Sequence, residues 1–478
     1  MSDRTPLTQA FIAGRWSSTS STFDVVSPAT GVHLAAVADC GEAEARVAAD
    51  ASVEAFGGWR QTTAYERAAI LTRWNDLILR DEAWLGELMA REMGKPVTEA
   101  RGEARYAAGF VSYYAGEAIR VHGETIPSQF ARKRLLVNAR PVGPVYAVTP
   151  WNFPAAMITR KAAPALAAGC TMVIKPAEQS PLTALHLGRL WEEAGGPPGT
   201  LQILPCRDPI PVSRVLMDDA RIRKISFTGS TEVGMLLYAQ AARTMKRMSL
   251  ELGGHAPFIV FGDADVHAAV REVVASKFRN AGQTCVCANR VYVHGSIVDE
   301  FTFLLATATE ALRVGDPLDP ATQVGPLVDE AAVAKVESHV ADALVRGAGI
   351  VTGGTRLNGR FFSPTVLTGV APGMRILEEE TFGPVAPILS FADDDAVVRA
   401  ANDTSAGLAA YIWTRDLSRA FRVSEALDYG IVGVNDGVPS TPQAPFGGVK
   451  FSGLGREGGH QGIAEYLDVQ YVSLGLDA

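Results

Sequence analysis

Cysteine is scarce in this chain. Five thiols are spread over 478 residues, at Cys40, Cys170, Cys206, Cys285 and Cys287. An odd and sparse set excludes the paired framework of a disulfide-stapled secreted scaffold and leads us to expect a reducing, cytoplasmic setting. Cys285 and Cys287 lack a second Cys or His pair at ligand spacing, so no metal site is expected. Long apolar runs are also missing. The most apolar stretch, residues 164–174, is interrupted by Gly169 and Cys170 and is too short to span a bilayer, so no membrane partner is expected. The opening MSDRTPLTQAF has neither an apolar core nor a small-residue cleavage site, and no secretory signal is expected. Positive charge is not in excess either. Forty-four Lys and Arg face 52 Asp and Glu, a net charge of −8, which argues against a nucleic-acid partner. We find no low-complexity tract and no repeat of solenoid length.

What is present is the balance of a folded protein, 47% hydrophobic and 20% charged, in a chain too long for one core. Two or three domains are expected. The first part reads as mostly helical, because AEARVAADASVEAF and YERAAILTRWNDLILRDEAWLGELMAREM carry apolar residues at three-and-four spacing. Over residues 133–149 the pattern becomes strand-like. From there GPVYAVTP, TMVIKP, TLQILP and KISFTG read as strands, with AAMITRKAAPALAAG, LTALHLGRLWEEAG and IPVSRVLMDD as the helices between them. This alternation predicts a parallel sheet covered on both faces, with ligands at the carboxyl ends of its strands. A second α/β region is expected over residues 251–438, its first long helix capped by Asp263 and running toward Phe278. The closing IAEYLDVQYVSLGL alternates like a strand of the kind that pairs with a partner subunit or another domain.

Several short motifs bear on chemistry. Gly453, Gly455 and Gly458 match the dinucleotide fingerprint G-x-G-x-x-G, but no strand–helix–strand unit surrounds them, so they read as a turn. FTGSTEVG follows a strand and opens a helix. Its backbone N–H groups and the hydroxyl of Ser230 could face an anion, with Gly229 allowing close approach; a plain turn is the alternative. VIKPAEQSP sets Lys175 and Glu178 just beyond a strand end, where they could grip ribose hydroxyls or merely pair with each other. LELGGH places Glu251 in an apolar neighbourhood that would raise its pKa and suit a general base, unless it is a salt-bridged structural residue. GQTCVC presents Cys285 among small residues that leave a sulfur accessible, although a buried inert thiol would look the same.

Together these blocks resemble the aldehyde dehydrogenase superfamily over essentially the whole chain. The resemblance is carried by TPWNFP, VIKPAEQSP, SFTGSTEVG, LELGGHAP, FRNAGQTCVCANR, EEETFGPV and PFGGVKFSGLGREG, in that order and spacing. Through ITRK, FRNAGQTCVCANR and GLGREG it is most similar to the succinate-semialdehyde branch. The resemblance implies an α/β fold with a parallel Rossmann-like cofactor sheet (residues 1–119 and 138–250) and a second α/β catalytic domain (residues 251–438). A small β oligomerisation element (residues 120–137, with the C-terminal loop 439–478) would make a homodimer or homotetramer.

The same resemblance implies roles. Cys285 is the expected nucleophile, forming a thioester with a small-molecule aldehyde. Asn152 and the Cys285 backbone N–H would form the oxyanion hole, and Glu251 would activate the hydrolytic water. Trp151, Asn152, Lys175, Glu178, Gly229, Ser230, Leu252, Glu380 and Phe382 fall on cofactor positions. Glu178 favours NAD over NADP, because a carboxylate accepts ribose hydroxyls and repels a 2′-phosphate. Arg160, Arg279 and Ser440 match a pocket that holds a substrate carboxylate by charge-assisted hydrogen bonds, which predicts succinate semialdehyde. Structural ion pairs are the alternative for both arginines. Pro439 and Pro442 depart from the branch's pattern in the substrate funnel, which leaves glutarate or 2-oxoglutarate semialdehyde, or an aromatic aldehyde, as alternatives. Relatives with CVC can close a disulfide between the positions of Cys285 and Cys287. A cysteine esterase or thioesterase using Cys285 with Glu251 or His255 is the competing class, but it gives the cofactor constellation no purpose. An idle binding protein would have no use for Asn152, Glu251, Cys285 and Glu380 together, and relatives that release acyl-CoA usually lack the Glu251 base.

Overall fold

The computed structural model describes residues 5–476. Contrary to a mostly helical beginning, the chain enters through two β-hairpins, Ala10–Ile12 with Arg15–Ser17 and Thr22–Val26 with His33–Ala38. Helices then occupy Glu42–Trp59, Ala64–Arg80, Glu82–Met93 and Val97–Ala118. The second of these shows why the sequence folds this way. Thr63 Oγ1 accepts from Glu66 N at 3.2 Å, and Thr63 N donates to Glu66 Oε2 at 2.7 Å. This reciprocal cap starts the helix, and Leu71, Trp74 and Ile78 form its buried stripe.

The first large sheet has the order Gly453–Leu454, Arg247–Glu251, Lys224–Thr228, Val145–Val148, Met172–Lys175, Leu201–Ile203, Ala10–Ile12, Arg15–Ser17. Its five middle strands, from Arg247–Glu251 to Leu201–Ile203, are parallel, as the alternating pattern predicts, and its flanks are antiparallel. The second sheet is built on the parallel strands Thr365–Thr368, Val385–Phe391, Ala288–His294, Ala256–Val260, Ala409–Trp413 and Ile431–Val434. The fold is α/β, with helices packed over both sheets. The glycine-rich segment around Gly453, Gly455 and Gly458, read as a turn, holds a short strand against Arg247–Glu251, with Gly453 opposite Glu251.

Residues 133–149 are strand-rich, as the pattern predicts, and one helix cap needs correction. The strand-like stretch at residues 133–149 is two strands, and Lys133–Pro141 leaves the large sheet to join Glu124–Ile126 and Leu467–Gly475 in a three-stranded antiparallel one. The C-terminal strand therefore pairs within its own chain. The helix expected to start at Asp263 is Val266–Lys277, capped by Asp265, whose carboxylate accepts from Ala268 N at 3.0 Å. Asp263 instead accepts from Thr414 Oγ1, Arg415 N and Arg419 Nη1, tying the second sheet's loops together. Among the described residues no helix is long and apolar enough to cross a membrane.

Candidate functional site

The parallel strands of the first sheet end at Val148, Thr228 and Glu251, facing a loop from the second sheet that carries Cys285. Two cavities meet at this thiol. One, of about 370 Å³, is lined by Trp151, Asn152, Gly229, Ser230, Leu252, Glu251, Glu380 and Phe382 with Cys285. The other, of about 280 Å³, is lined by Arg160, Arg279 and Ser440 with Cys285. Of the expected cofactor residues, Lys175 and Glu178 lie outside the first cavity. Lys175 is buried and donates to Glu178 Oε2 at 3.1 Å, while the half-exposed Glu178 lines a separate cavity with Arg207.

Cys285 is presented by a strained turn. Asn280, Ala281 and Gly282 have φ of 51°, 55° and 75°, the left-handed region that non-glycine residues avoid at a cost of ~1–2 kcal/mol each. A Cβ on Gly282 would lie 2.2 Å from the carbonyl oxygen of Gly383, so only glycine fits. The strain is held by hydrogen bonds. Asn280 N donates to Glu99 Oε2 at 2.9 Å, Gln283 Nε2 donates to Asn280 O at 3.0 Å, and Val328 N donates to Gln283 Oε1 at 2.9 Å.

Asn152 is tied to the same turn: its Nδ2 donates to Gln283 O at 3.0 Å, leaving the second N–H of that amide uncommitted. Its backbone carbonyl accepts from Lys95 Nζ at 2.8 Å and from Asn280 Nδ2 at 3.2 Å. Lys95 is buried against Glu103, whose Oε1 accepts from Ala155 N and Ala156 N at the start of helix Ala156–Ala168. Local pattern reading gave no role to Lys95, Glu103, Asn280 or Gln283. The signal available was polar residues inside otherwise small or apolar blocks, GKP and FRNAGQTC.

Glu251 is buried and neither carboxylate oxygen has a hydrogen-bond partner among the described residues. Burial, reinforced by the negative charge of Glu457, pushes its pKa well above the usual carboxylate range. Glu380 is partly buried, its pKa pushed up to about 7 by desolvation, with Gly254 N donating to it at 3.2 Å. Burial pushes the Cys285 thiol up to about 12, against the lowering field of Arg160. Cys287 Sγ is turned to Lys277 O at 3.6 Å, and both thiols are free. His255 lines neither cavity. Burial lowers its pKa to about 3, and its Nε2 donates to Leu377 O at 2.8 Å, so it is no base for Cys285.

The two arginines differ. Arg160 is buried, donates from Nε to Glu457 Oε2 at 2.5 Å and lies 4.1 Å over the Phe446 ring. The ion pair that stood as its alternative is therefore present, shared with Lys161, while the residue still lines the second cavity. Among the described residues Arg279 makes no salt bridge and its buried Nε has no partner; its charge acts on Glu99 across the same cavity, and its guanidinium sits 5.5 Å over the Phe153 ring. Lys335 on the first cavity, and Glu99 and Tyr106 on the second, are lining residues that sequence reading missed.

A thiol shared by two cavities, one holding the unpartnered Glu251 carboxylate and the other Arg160 and Arg279, makes this the candidate active site of an enzyme. The chain belongs to the aldehyde dehydrogenase family, whose model, described as "Aldehyde dehydrogenase family", matches residues 16–472. It is 52% identical over 472 residues to the NADP(+) succinate-semialdehyde dehydrogenase of Escherichia coli (strain K12), covering 98% of each chain. It is also 52% identical over 471 residues to the 3-sulfolactaldehyde dehydrogenase of Pseudomonas putida, covering 98% of this chain and 97% of that one. The crystal structure of succinate-semialdehyde dehydrogenase from Burkholderia pseudomallei matches with a TM-score of 0.97 at 51% identity, covering 99% of this chain and 98% of that one.

Proposed function

We propose that this aldehyde dehydrogenase oxidises a short aldehyde with an anionic far end, succinate semialdehyde first, to its acid through a thioester on Cys285. One observation carries the reading: Cys285 lies on the wall shared by a cavity holding Glu251 and Glu380 and a cavity holding the unpaired Arg279. Arg279 fits a carboxylate through charge-assisted hydrogen bonds and, with Ser440, holds it away from the sulfur. The resting thiol must lose its proton as sulfur adds to the carbonyl carbon, and Glu251 in the same cavity is the unpartnered acceptor for it. The uncommitted N–H of Asn152 is the side-chain donor for the oxygen that becomes negative. After passing that first proton to solvent, Glu251 takes a second one from the water that hydrolyses the thioester, and the sulfur leaves as the acid is released.

The first cavity suits a nicotinamide dinucleotide. Glu380 is a partly buried carboxylate with a single backbone donor, which a ribose diol would complement, and helix Thr231–Ala241 opens on the same cavity at its Ser230 cap. When bound, the nicotinamide supplies the two-electron acceptor that oxidation of the aldehyde requires. Although the Escherichia coli relative is named for NADP(+), the Glu178 carboxylate favours NAD here, since it would repel a 2′-phosphate.

A second anion deserves the same test, because the Pseudomonas putida relative is named for a sulfonated aldehyde at equal identity. Absorbance of the reduced cofactor should be followed with NAD or NADP and succinate semialdehyde, glutarate semialdehyde, 3-sulfolactaldehyde, hexanal and benzaldehyde. Highest kcat/KM for succinate semialdehyde with NAD is expected. Preference for the sulfonate would move the substrate while keeping the pocket, and preference for hexanal or benzaldehyde would remove the anion pocket. We also infer a cytoplasmic homo-oligomer. Val233, Met235, Leu236 and Tyr238 leave an apolar face exposed on helix Thr231–Ala241, which light scattering would test.

A further inference from the structure

His339 touches neither cavity, yet it grips the segment that brings Glu380 to the first one. It is fully buried on helix Glu330–Val345, which itself lines that cavity through Ala331, Ala332 and Lys335. Its Nε2 lies 3.1 Å from Glu379 Oε2 and its Nδ1 lies 3.2 Å from Thr381 Oγ1. The two ring nitrogens thus hold the residues on either side of Glu380.

The chemistry of the partners fixes the ring's state. Glu379 is ionised, its pKa lowered to about 2 chiefly by the hydrogen bonds from Arg375, so it can only accept. Burial keeps His339 neutral by lowering its pKa. The single ring proton therefore sits on Nε2, donated to Glu379, and Nδ1 accepts from the Thr381 hydroxyl.

The segment needs such a hold. Phe382 has a φ of 54°, a left-handed backbone that a bulky residue keeps only where its surroundings over-determine it. Gly383 follows so close to the same helix that a Cβ there would lie 2.3 Å from Val336 Cγ2. Its carbonyl is the one that crowds Gly282 in the Cys285 turn. A displacement of this segment would therefore be felt first at Glu380 and Phe382, while the Cys285 turn keeps its own hydrogen bonds to Glu99, Gln283 and Val328.

We propose that His339 is a positioning residue for dinucleotide binding, clamping Glu379 and Thr381 so that Glu380 and Phe382 face the cofactor cavity. The proposal rests on the reading of that cavity as a nicotinamide dinucleotide site. Its test compares wild type with His339→Leu, which loses both contacts, and His339→Gln, whose amide N–H can still reach Glu379. Calorimetry gives the Kd for NAD without any aldehyde, and hydrolysis of an aryl acetate at Cys285 reports on the nucleophile without any dinucleotide.

The expected result for His339→Leu is a Kd raised about tenfold with aryl-acetate hydrolysis within about twofold of wild type. His339→Gln is expected to restore most of the affinity. An unchanged Kd in His339→Leu overturns the proposal, as does an equal loss in Kd and in aryl-acetate hydrolysis, which marks a general core role. If His339→Leu does not fold, Glu379→Ala tests the clamp from its half-exposed side. A weaker Kd is then expected, and an unchanged one overturns the proposal. If wild type itself binds neither NAD nor NADP, the cofactor reading falls instead, before any variant is compared.

Discussion

Arg160 and Glu457 are held together at 2.5 Å in the protein interior, 297 residues apart in sequence, so one of the two guanidinium groups on the aldehyde cavity is already neutralised by the protein. Arg279, on the same cavity, makes no such ion pair among the described residues, although the Glu99 carboxylate lies within its field. The anion specificity should therefore rest on Arg279. Arg279→Ala is expected to lower kcat/KM for succinate semialdehyde by about 10- to 100-fold, the worth of one or two charge-assisted hydrogen bonds, and to leave hexanal within about threefold. Steady-state kinetics on both aldehydes checks this, and equal losses on both would count against the pocket.

Arg160→Ala should behave differently. Its removal leaves a buried carboxylate with only Lys161 as partner, a change that costs about 3–5 kcal/mol of stability. Denaturant unfolding should show that loss, and turnover of charged and uncharged aldehydes should fall together, because Arg160 also lowers the pKa of Cys285. A stable Arg160→Ala variant impaired only on succinate semialdehyde would return Arg160 to a purely substrate-binding role.

Glu251 gives a prediction with opposite signs in activity and stability. A carboxyl whose pKa is raised by folding holds its proton more tightly in the native state. The stability it lends is present at low pH and is lost as pH rises from the ordinary glutamate range through the raised value. Glu251→Gln removes that loss, so the variant should be more stable than wild type by about 1–3 kcal/mol at neutral pH, by a margin that grows with pH. Turnover should fall by about 10²-fold or more, and the remaining wild-type dependence, activity rising with pH through the raised pKa, should disappear. Urea melts at pH 5 and pH 8 would reveal a constant margin if Glu251 were not the buried titrating group.

The parallel core of the first sheet was legible because its strands are short apolar runs bounded by Gly or Pro, whereas the strands of the second sheet were anticipated only as an α/β region. Cys285 and Glu251 stood out as candidates because each sits in a block whose composition is odd for a core, a thiol among small residues and a carboxylate among apolar ones, while Asn152 was reached only through the family resemblance; all three line one cavity. What escaped depends on partners distant in sequence. Asp263 and Asp265 are equally good caps by local rules, and only the contact with Thr414 and Arg419 decides that Asp263 is used elsewhere. The left-handed turn at Asn280 and Ala281 has no local signature, since neither residue is glycine. Lys95 reads as a loop lysine until the fold buries it under the carbonyl of Asn152. The first N-terminal hairpin was missed because strands as short as Ala10–Ile12 and Arg15–Ser17 show too few residues for a period.

Glu178 and Lys175 form an ion pair whose carboxylate is partly exposed, so the pair contributes little to stability and can be rebuilt without unfolding the protein. Glu178→Ser removes the negative charge and releases the buried Lys175 amine. The kcat/KM for NADP should then rise about tenfold or more, while that for NAD falls by a few-fold as a ribose acceptor is lost. Steady-state kinetics with the two cofactors at one aldehyde concentration decides it. Unchanged ratios would place cofactor choice elsewhere in the site.

The last prediction concerns the resting nucleophile. Burial raises the Cys285 thiol from 9.0 to about 12, so the thiolate fraction at neutral pH is about a thousandfold below that of a free thiol with the ordinary value. Alkylation of Cys285 by iodoacetamide in the cofactor-free enzyme should therefore be slow at pH 7 and should climb with pH without levelling through pH 10. Arg160 and Arg279 both lower this pKa, so Arg279→Ala should slow alkylation further at every pH below the plateau. The four other cysteines, Cys40, Cys170, Cys206 and Cys287, are buried, and mass spectrometry of the labelled peptide separates them from Cys285. A plateau below pH 8 would mean that the thiolate is stabilised in the resting site. The proton-accepting role of Glu251 would then be confined to the water that releases the acid.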